Sequence, residues 1–344
     1  MKNTIDSIVS RGILPDAILR LAIRKLNRRR LKEISFDDIE LAQAKTQEVV
    51  QILRSSEIAV LTEKANEQHY EVPADFFNLV LGKHLKYSSC YFLTGKESLD
   101  EAEFLMLNET IEMARIQDGD EILELGCGWG SLSLFMAQKF PRSKITAVSN
   151  SKSQKAFIDA KAKQSNLKNL NVVTVDINNF NPKKKFDRVV SVEMFEHMRN
   201  YETLFSRIHS WLKTNGTLFI HIFAHRDYPY FFENKDADDW MSRYFFSGGI
   251  MPSNHLFSYF SRQFSLKEHR VFKGTHYHLT AEHWLRNLDT NRLQVLDIFS
   301  NVYGKNNARR WLHYWRVFFL AVSELFRTKS GQVWCVNHYL YKKL

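Results

Sequence analysis

The stretch EILELGCGWGSLSLFMAQKF, residues 121–140, decides the fold. It opens as a short apolar run, passes through glycines at 126, 128 and 130, and closes in a helical pattern of apolar residues. Strand, glycine turn and helix in that order form the first unit of a sheet with crossover helices. Glycine is needed where φ must be positive or where a ligand comes close to the backbone. The helix that follows offers free N–H groups from its first turn.

Outward from this turn the rhythm repeats. KITAVSN (144–150) reads as a second strand and SQKAFIDAKAKQSNL (153–167) as a helix. NLNVVTVD (169–176) and FDRVVSVE (186–193) read as strands three and four. TLFIHIF (217–223) is the fifth, after a turn at KTNG (213–216). The expected fold class is α/β, a mostly parallel sheet with helices on both faces, whose ligands bind at the carboxyl ends of the strands. Residues 1–62 read as a helical N-terminal segment, with Ser35 as the N-cap of its second helix. Residues 63–117 are expected to form a lid over substrate and cofactor. The main domain spans 118–344, with an aromatic, Gly- and Pro-containing interruption at about 224–262 expected to be an inserted cap.

Composition narrows the classes. The 344 residues are 44% hydrophobic, enough for a sizeable core, and include 26 Phe. No apolar run is long enough to cross a membrane, and the N-terminal residues lack a signal-peptide pattern, so the expected location is the cytoplasm. Three cysteines make neither a disulfide framework nor a zinc site, and no metal is expected. The net charge is +10, and residues 1–32 carry nine Lys or Arg against two Asp. A solvated basic helix face is the favoured reading, contact with anionic lipid the lesser one. Without an aromatic nucleic-acid signature, no nucleic-acid partner is expected. The sequence gives no oligomeric state; a homodimer is compatible with it.

The glycine turn separates two cofactors. A dinucleotide site of the G-x-G-x-x-G type needs glycine at 131, where Ser131 stands, and an acid after strand two, which ends AVSN. Glu124, just ahead of the glycines, is the commoner pattern for S-adenosylmethionine. At the end of strand four, SVEMFEHM (191–198) sets Glu193, Glu196 and His197 close together. Charged groups at the end of a core strand cost desolvation energy, so the cluster is a candidate site.

ANEQHYEVPADFFNLVLGKHLKYSSCYF, ELGCGWGSLSL, AVSNSKSQK, VEMFEHMRNY, DDWMSRYFFSGGIMPS, HYHLTAEHWL and YWRVFFLAVSELF extend this over nearly the whole chain. With these stretches the sequence resembles the coclaurine N-methyltransferase family, which is related to the cyclopropane-fatty-acid synthases. The resemblance implies a class I methyltransferase, Rossmann-like fold acting on alkaloid amines, benzylisoquinolines among them. It implies that Gly126, Gly128 and Gly130 lie under the methionine part of S-adenosylmethionine, with Tyr87 and Ser88 against that end. Gln154 would bond the ribose, Asp176 and Ile177 would flank the adenine, and Ser149, Asn150 and Ser191 would complete the cofactor site with Glu124. Glu193, Glu196 and His197 would receive the amine nitrogen, His197 as base. Tyr314, Trp315 and Phe318 would form an aromatic wall, and Tyr70 and Glu71 would reach the amine. The synthase alternative implies a bicarbonate pocket of Cys, Glu196, His221 and Tyr314. Here Ser89 stands at the Cys position, with Cys90 one residue late, and Glu193 adds a carboxylate that an alkene does not need.

Overall fold

The five runs read as strands are strands in a computed structural model that describes residues 9–60, 72–232 and 240–344. They are β1 (Glu121–Leu125), β2 (Lys144–Ser149), β3 (Leu170–Thr174), β4 (Phe186–Val192) and β5 (Leu212–His225). Two more, β8 (Phe264–Lys273) and β9 (Trp334–Lys343), complete a seven-stranded sheet of order β3-β2-β1-β4-β5-β9-β8. β1 pairs in parallel with β2 on one side and β4 on the other, Leu125 lying level with Val148 and Ser191. β9 runs antiparallel between β5 and β8. The chain order reverses at β1 and β4, and this is where a cleft opens at the carboxyl edge.

Burial follows the pleat. Ile122 packs with Leu132 and Met136 of α5 (Ser131–Lys139) and with Ile111 of α4 (Leu99–Met113). Its neighbour Leu123 faces the other layer, against Leu204, Phe205 and Ile208 of α7 (Tyr201–Trp211). Successive residues serve opposite layers because side chains alternate along a strand. α6 (Lys152–Gln164) follows β2 and is capped by Ser151, whose hydroxyl accepts from the Gln154 N–H.

Over the carboxyl edge lies a third layer, rich in aromatics. It is built from α3 (Ala74–Val80), α9 (Thr275–Thr290), α10 (Arg292–Tyr303) and α11 (Lys305–Phe326). Phe76 packs on Trp315 at 4.7 Å between centroids, and Phe245 stacks on Phe318 at 4.4 Å. Between β5 and β8 stand a small ribbon of β6 (Tyr230–Phe231) with β7 (Ile250–Met251) and the short helix α8 (Trp240–Tyr244).

Three expectations differ from the structure. The second N-terminal helix, α2 (Ile39–Ser55), is capped by Asp38, whose carboxylate accepts from the Leu41 N–H at 3.0 Å; Ser35 instead ends α1 (Asp16–Ile34). A carboxylate beside the first-turn N–H groups also complements the helix dipole. KTNG is not a separate turn but part of β5, where the register with β4 slips and Asn215 takes φ +64°. The basic face of α1 is partly paired: Arg20 bonds Glu282 and Glu324, and Arg24 bonds Glu324, which is almost wholly buried.

Candidate active site

β1 ends in the glycine turn, and its three glycines do different work. The N–H groups of Gly126 and Cys127 both donate to the Val148 carbonyl, which ties the turn to β2. All three glycines have positive φ. A Cβ on Gly126 would meet Met194 at 2.7 Å, and one on Gly130 would meet Ile158 at 2.7 Å. A Cβ on Gly128 would meet nothing within 4 Å. Gly128 therefore faces open space in the cleft, whereas Gly130 starts α5 and lets it pack against α6.

Two compartments meet over this turn. One is lined by Ser149, Asn150, Gln154, Asp176 and Ile177, the other by Tyr87, Ser88, Glu124, Glu193, Glu196 and Phe318. Gly126, Gly128, Gln154, Met194 and His197 line both, so His197 stands at the junction. Gly130 and Ser191 lie outside both; the Ser191 hydroxyl donates to the Leu125 carbonyl and secures β4 to β1. Tyr314 and Trp315 are also set back. The Tyr314 hydroxyl accepts from Arg310 at 2.8 Å and its ring rests on Tyr244, while Trp315 is enclosed by Phe76, Phe77 and Phe245. Of the three, Phe318 reaches the cleft, and Phe246, Trp129 and Trp284 share the wall with it. Tyr70 and Glu71 fall outside the described residues.

The polar atoms here fit S-adenosylmethionine. The Gln154 side chain is buried; its carbonyl accepts from the Ser149 hydroxyl at 2.7 Å, and its Nε2 has no partner among the described residues. That leaves an N–H donor for ribose hydroxyls. At the other end Glu124 is buried and accepts from the Ser133 hydroxyl. Burial pushes its carboxyl up to about 8, a cost that a cationic amino group beside it would offset.

The acid cluster is built by a backbone reversal. Glu193 takes φ +45°, a left-handed value, and its N–H donates to the His221 carbonyl. Its Oε1 accepts from the Ser89 N–H at 2.9 Å and lies 3.1 Å from His221 Nε2. Its Oε2 accepts from the Tyr277 hydroxyl at 2.6 Å. Burial raises the Glu193 carboxyl, against the pull of Lys86, Tyr277 and the Ser89 N–H. Lys86 is itself buried, donating to the Ser88 hydroxyl and the Ser89 carbonyl. Glu196 is buried too, with Oε2 unpartnered among the described residues; burial, then the Glu193 charge, holds its carboxyl well above the usual range. The His197 ring stacks on Phe246 at 5.3 Å.

Lys86 and Tyr277, with the wall rings Trp129, Phe246 and Trp284, are site residues that sequence reasoning passed over. Lys86 and Tyr277 lie in quoted stretches, KYSS and HYHLTAEHW. A buried lysine has no sequence signature of its own, and neither has a tyrosine that meets Glu193 across 84 residues of chain. Tyr277 bonds one oxygen of the Glu193 carboxylate and His221 meets the other.

Comparison with known proteins gives the family. Residues 60–336 match the family described as mycolic acid cyclopropane synthetase. The (S)-coclaurine N-methyltransferase of Thalictrum flavum subsp. glaucum is 38% identical over 96% of this chain and 93% of its own. The chain belongs to this family, on its coclaurine N-methyltransferase side. The crystal structure of coclaurine N-methyltransferase bound to N-methylheliamine and SAH matches with a TM-score of 0.95 at 36% identity, covering 98% of this chain and 99% of that one. By contrast, the cyclopropane-fatty-acyl-phospholipid synthase of Escherichia coli (strain K12) is 26% identical over 78% of this chain. The fold is thus that of the class I methyltransferases, and the protein is an S-adenosylmethionine-dependent N-methyltransferase with a small-molecule acceptor.

Proposed function

We propose that the enzyme methylates the nitrogen of a small alkaloid or aralkyl amine, with tetrahydroisoquinolines the preferred class, and that it works in the cytoplasm. The supporting observation is the trio of Glu193, Glu196 and His197 beside the junction of the two compartments, Glu196 buried and the other two half-buried, walled by aromatic rings. Relatives named for coclaurine, and a matching structure bound to N-methylheliamine, favour that class.

Bound S-adenosylmethionine supplies a methyl group on a cationic sulfur. The chain's residues then have three tasks. Glu193 and Glu196 draw in an ammonium ion, and the ring faces of Phe246, Trp284 and Phe318 suit a cation. His197 takes the proton so that the nitrogen lone pair is free, help of about 10²- to 10⁴-fold. The three groups share protons, so their titration belongs to the cluster. The walls would orient the nitrogen for transfer, and most of the rate would come from that orientation. The stretch around Phe246, between β6 and β7, acts as the cap over the acceptor.

An alkene acceptor is the poorer reading. Ser89, His221 and Tyr277 converge on a carboxylate that the chain itself supplies. A charged carboxylate beside an acyl chain would carry a desolvation cost with no duty to perform. The test is a labelled methyl-transfer screen of tetrahydroisoquinolines, phenethylamines and vesicles of unsaturated phospholipid. Transfer to the first group supports the proposal; label appearing only in lipid sinks it.

A further inference from the structure

Behind Glu193 lies an imidazole that the chemistry above leaves unused. His338 on β9 sits level with His221 on β5, and both are fully buried. His338 Nε2 is 2.8 Å from His221 Nδ1, and His221 Nε2 is 3.1 Å from Glu193 Oε1. The His338 ring is otherwise enclosed by Phe219 and Phe272, at 5.0 and 4.6 Å between centroids, and its Nδ1 has no partner among the described residues.

Two neutral arrangements can place one proton between the rings. In the first, His338 Nε2–H donates to His221 Nδ1, and His221 Nε2–H donates to Glu193. The leftover atom is a bare nitrogen at His338 Nδ1. In the second, His221 Nδ1–H donates to His338 Nε2. His338 Nδ1 then carries a buried proton with no acceptor, and His221 Nε2 points a lone pair at the carboxylate. A stranded donor and two opposed acceptors cost more than one bare ring nitrogen. Burial lowers the basicity of both imidazoles, which keeps them neutral.

We propose that His338 is a positioning residue: by donating to His221 it fixes the tautomer that presents Nε2–H to Glu193, and so holds Glu193 as a carboxylate ready for an ammonium ion. The proposal rests on the amine reading. The other titratable or charged groups around Glu193 and this pair come from several elements. They are Lys86, Tyr87 and Cys90 before α4, Glu196 and His197 after β4, and Tyr277 on α9. Arg270 on β8 lies level with His338, with its guanidinium bonded to Glu109 and Glu268. Among the described residues none of them donates to His221 Nδ1, so the tautomer is set by His338.

The test has two arms. Long-range ¹H–¹⁵N spectra of the wild-type protein with S-adenosylhomocysteine should show His221 protonated on Nε2; protonation on Nδ1 overturns the proposal. The second arm is the pH profile of kcat/KM for an accepted amine in His338→Phe and His338→Gln. In His338→Phe the acidic limb should move to higher pH by about one unit, and kcat at neutral pH should fall by about tenfold. Cofactor affinity should be unchanged. Glutamine can still donate an amide N–H to His221, so His338→Gln should recover most of both losses. An unmoved limb in His338→Phe, or equal losses in the two variants, overturns the proposal. A wild-type enzyme that methylates no amine would remove the amine reading, and this proposal with it, while the tautomer measured in the first arm would still stand or fall by itself.

Discussion

Replacing Glu193 by glutamine removes one negative charge and almost nothing else. The amide carbonyl can keep the Ser89 N–H and the His221 Nε2–H, which meet the same oxygen at 2.9 and 3.1 Å. The amide nitrogen takes the place of Oε2, 2.6 Å from the Tyr277 hydroxyl, which turns from donor to acceptor. The backbone strain at φ +45° is the same in both proteins. What is lost is a charge-assisted contact to the ammonium, worth about 1.5–3 kcal/mol. That corresponds to a fall in kcat/KM of about ten- to a hundred-and-fifty-fold. Radiolabelled methyl transfer to a tetrahydroisoquinoline reads the loss, calorimetry reads cofactor affinity, and a thermal melt reads the fold. The expected result is a lower kcat/KM with cofactor affinity and melting temperature nearly unchanged, and a comparable or larger loss in His197→Ala. Unchanged turnover in both variants, or a loss traced wholly to cofactor affinity, would refute the reasoning.

The glycines and their neighbours give sharper distinctions. Gly128→Ala places a methyl in open cleft, so cofactor affinity should drop sharply while stability loses only the strain of alanine at φ +52°; Gly130→Ala adds a clash with Ile158 to the same kind of strain, so stability should drop further, and its cost should be less than additive with that of Ile158→Ala. The reverse pattern in calorimetry and melts would contradict the division of labour. Gln154→Ala removes the unpartnered Nε2 donor and should weaken S-adenosylmethionine by about tenfold; wild-type affinity would count against a ribose contact. Glu124 keeps a proton in the folded state up to about 8, whereas an ordinary carboxyl releases it near 4.5. The folded form therefore binds more protons than the unfolded form in that window, and the contribution of this group to stability declines as pH rises through it. Glu124→Gln should flatten that decline in the cofactor-free protein, measured by urea unfolding across the window, and should also weaken the cofactor; an unchanged slope would show that burial does not govern this carboxyl.

What could be read in the sequence was whatever depends on local pattern. Apolar runs marked β1 to β4 because each is short and bounded by turn residues. The pairing of Glu193, Glu196 and His197 was legible because all three lie within five residues of chain. The separate duties of the three glycines were not, since only the packing of Ile158 and Met194 reveals them. The start of β5 was hidden by KTNG, whose turn chemistry forms a bulge inside the strand rather than its end. The support of Glu193 comes from Ser89, Tyr277 and His221, which are 104, 84 and 28 residues away. No periodicity in a single sequence connects positions so far apart; only the strand order and the helical layer over the carboxyl edge bring them together. Tyr314 and Trp315 illustrate the converse. They share a helix with Phe318, yet the aromatic packing of α11 against α3 and α8 turns them away from the cleft.

The position of Glu193 carries a further consequence. A non-glycine residue at this backbone angle costs about 1–3 kcal/mol, and a buried carboxylate adds a desolvation cost. The chain meets both with three donors gathered round one side chain. Glu193→Gly relieves the strain and removes the carboxylate together, while Ser89, His221 and Tyr277 remain aimed at the vacated space. That space has the size and hydrogen-bonding character of a small carboxylate. Added formate should therefore enter it and recover part of the lost amine methylation, with a saturable concentration dependence. Glu193→Gln, in which the amide still fills the space, should show no such recovery. Formate that rescued neither variant, or both equally, would mean that the three donors support the fold rather than the charge, and the account of Glu193 as the seat of the ammonium would lose its main structural support.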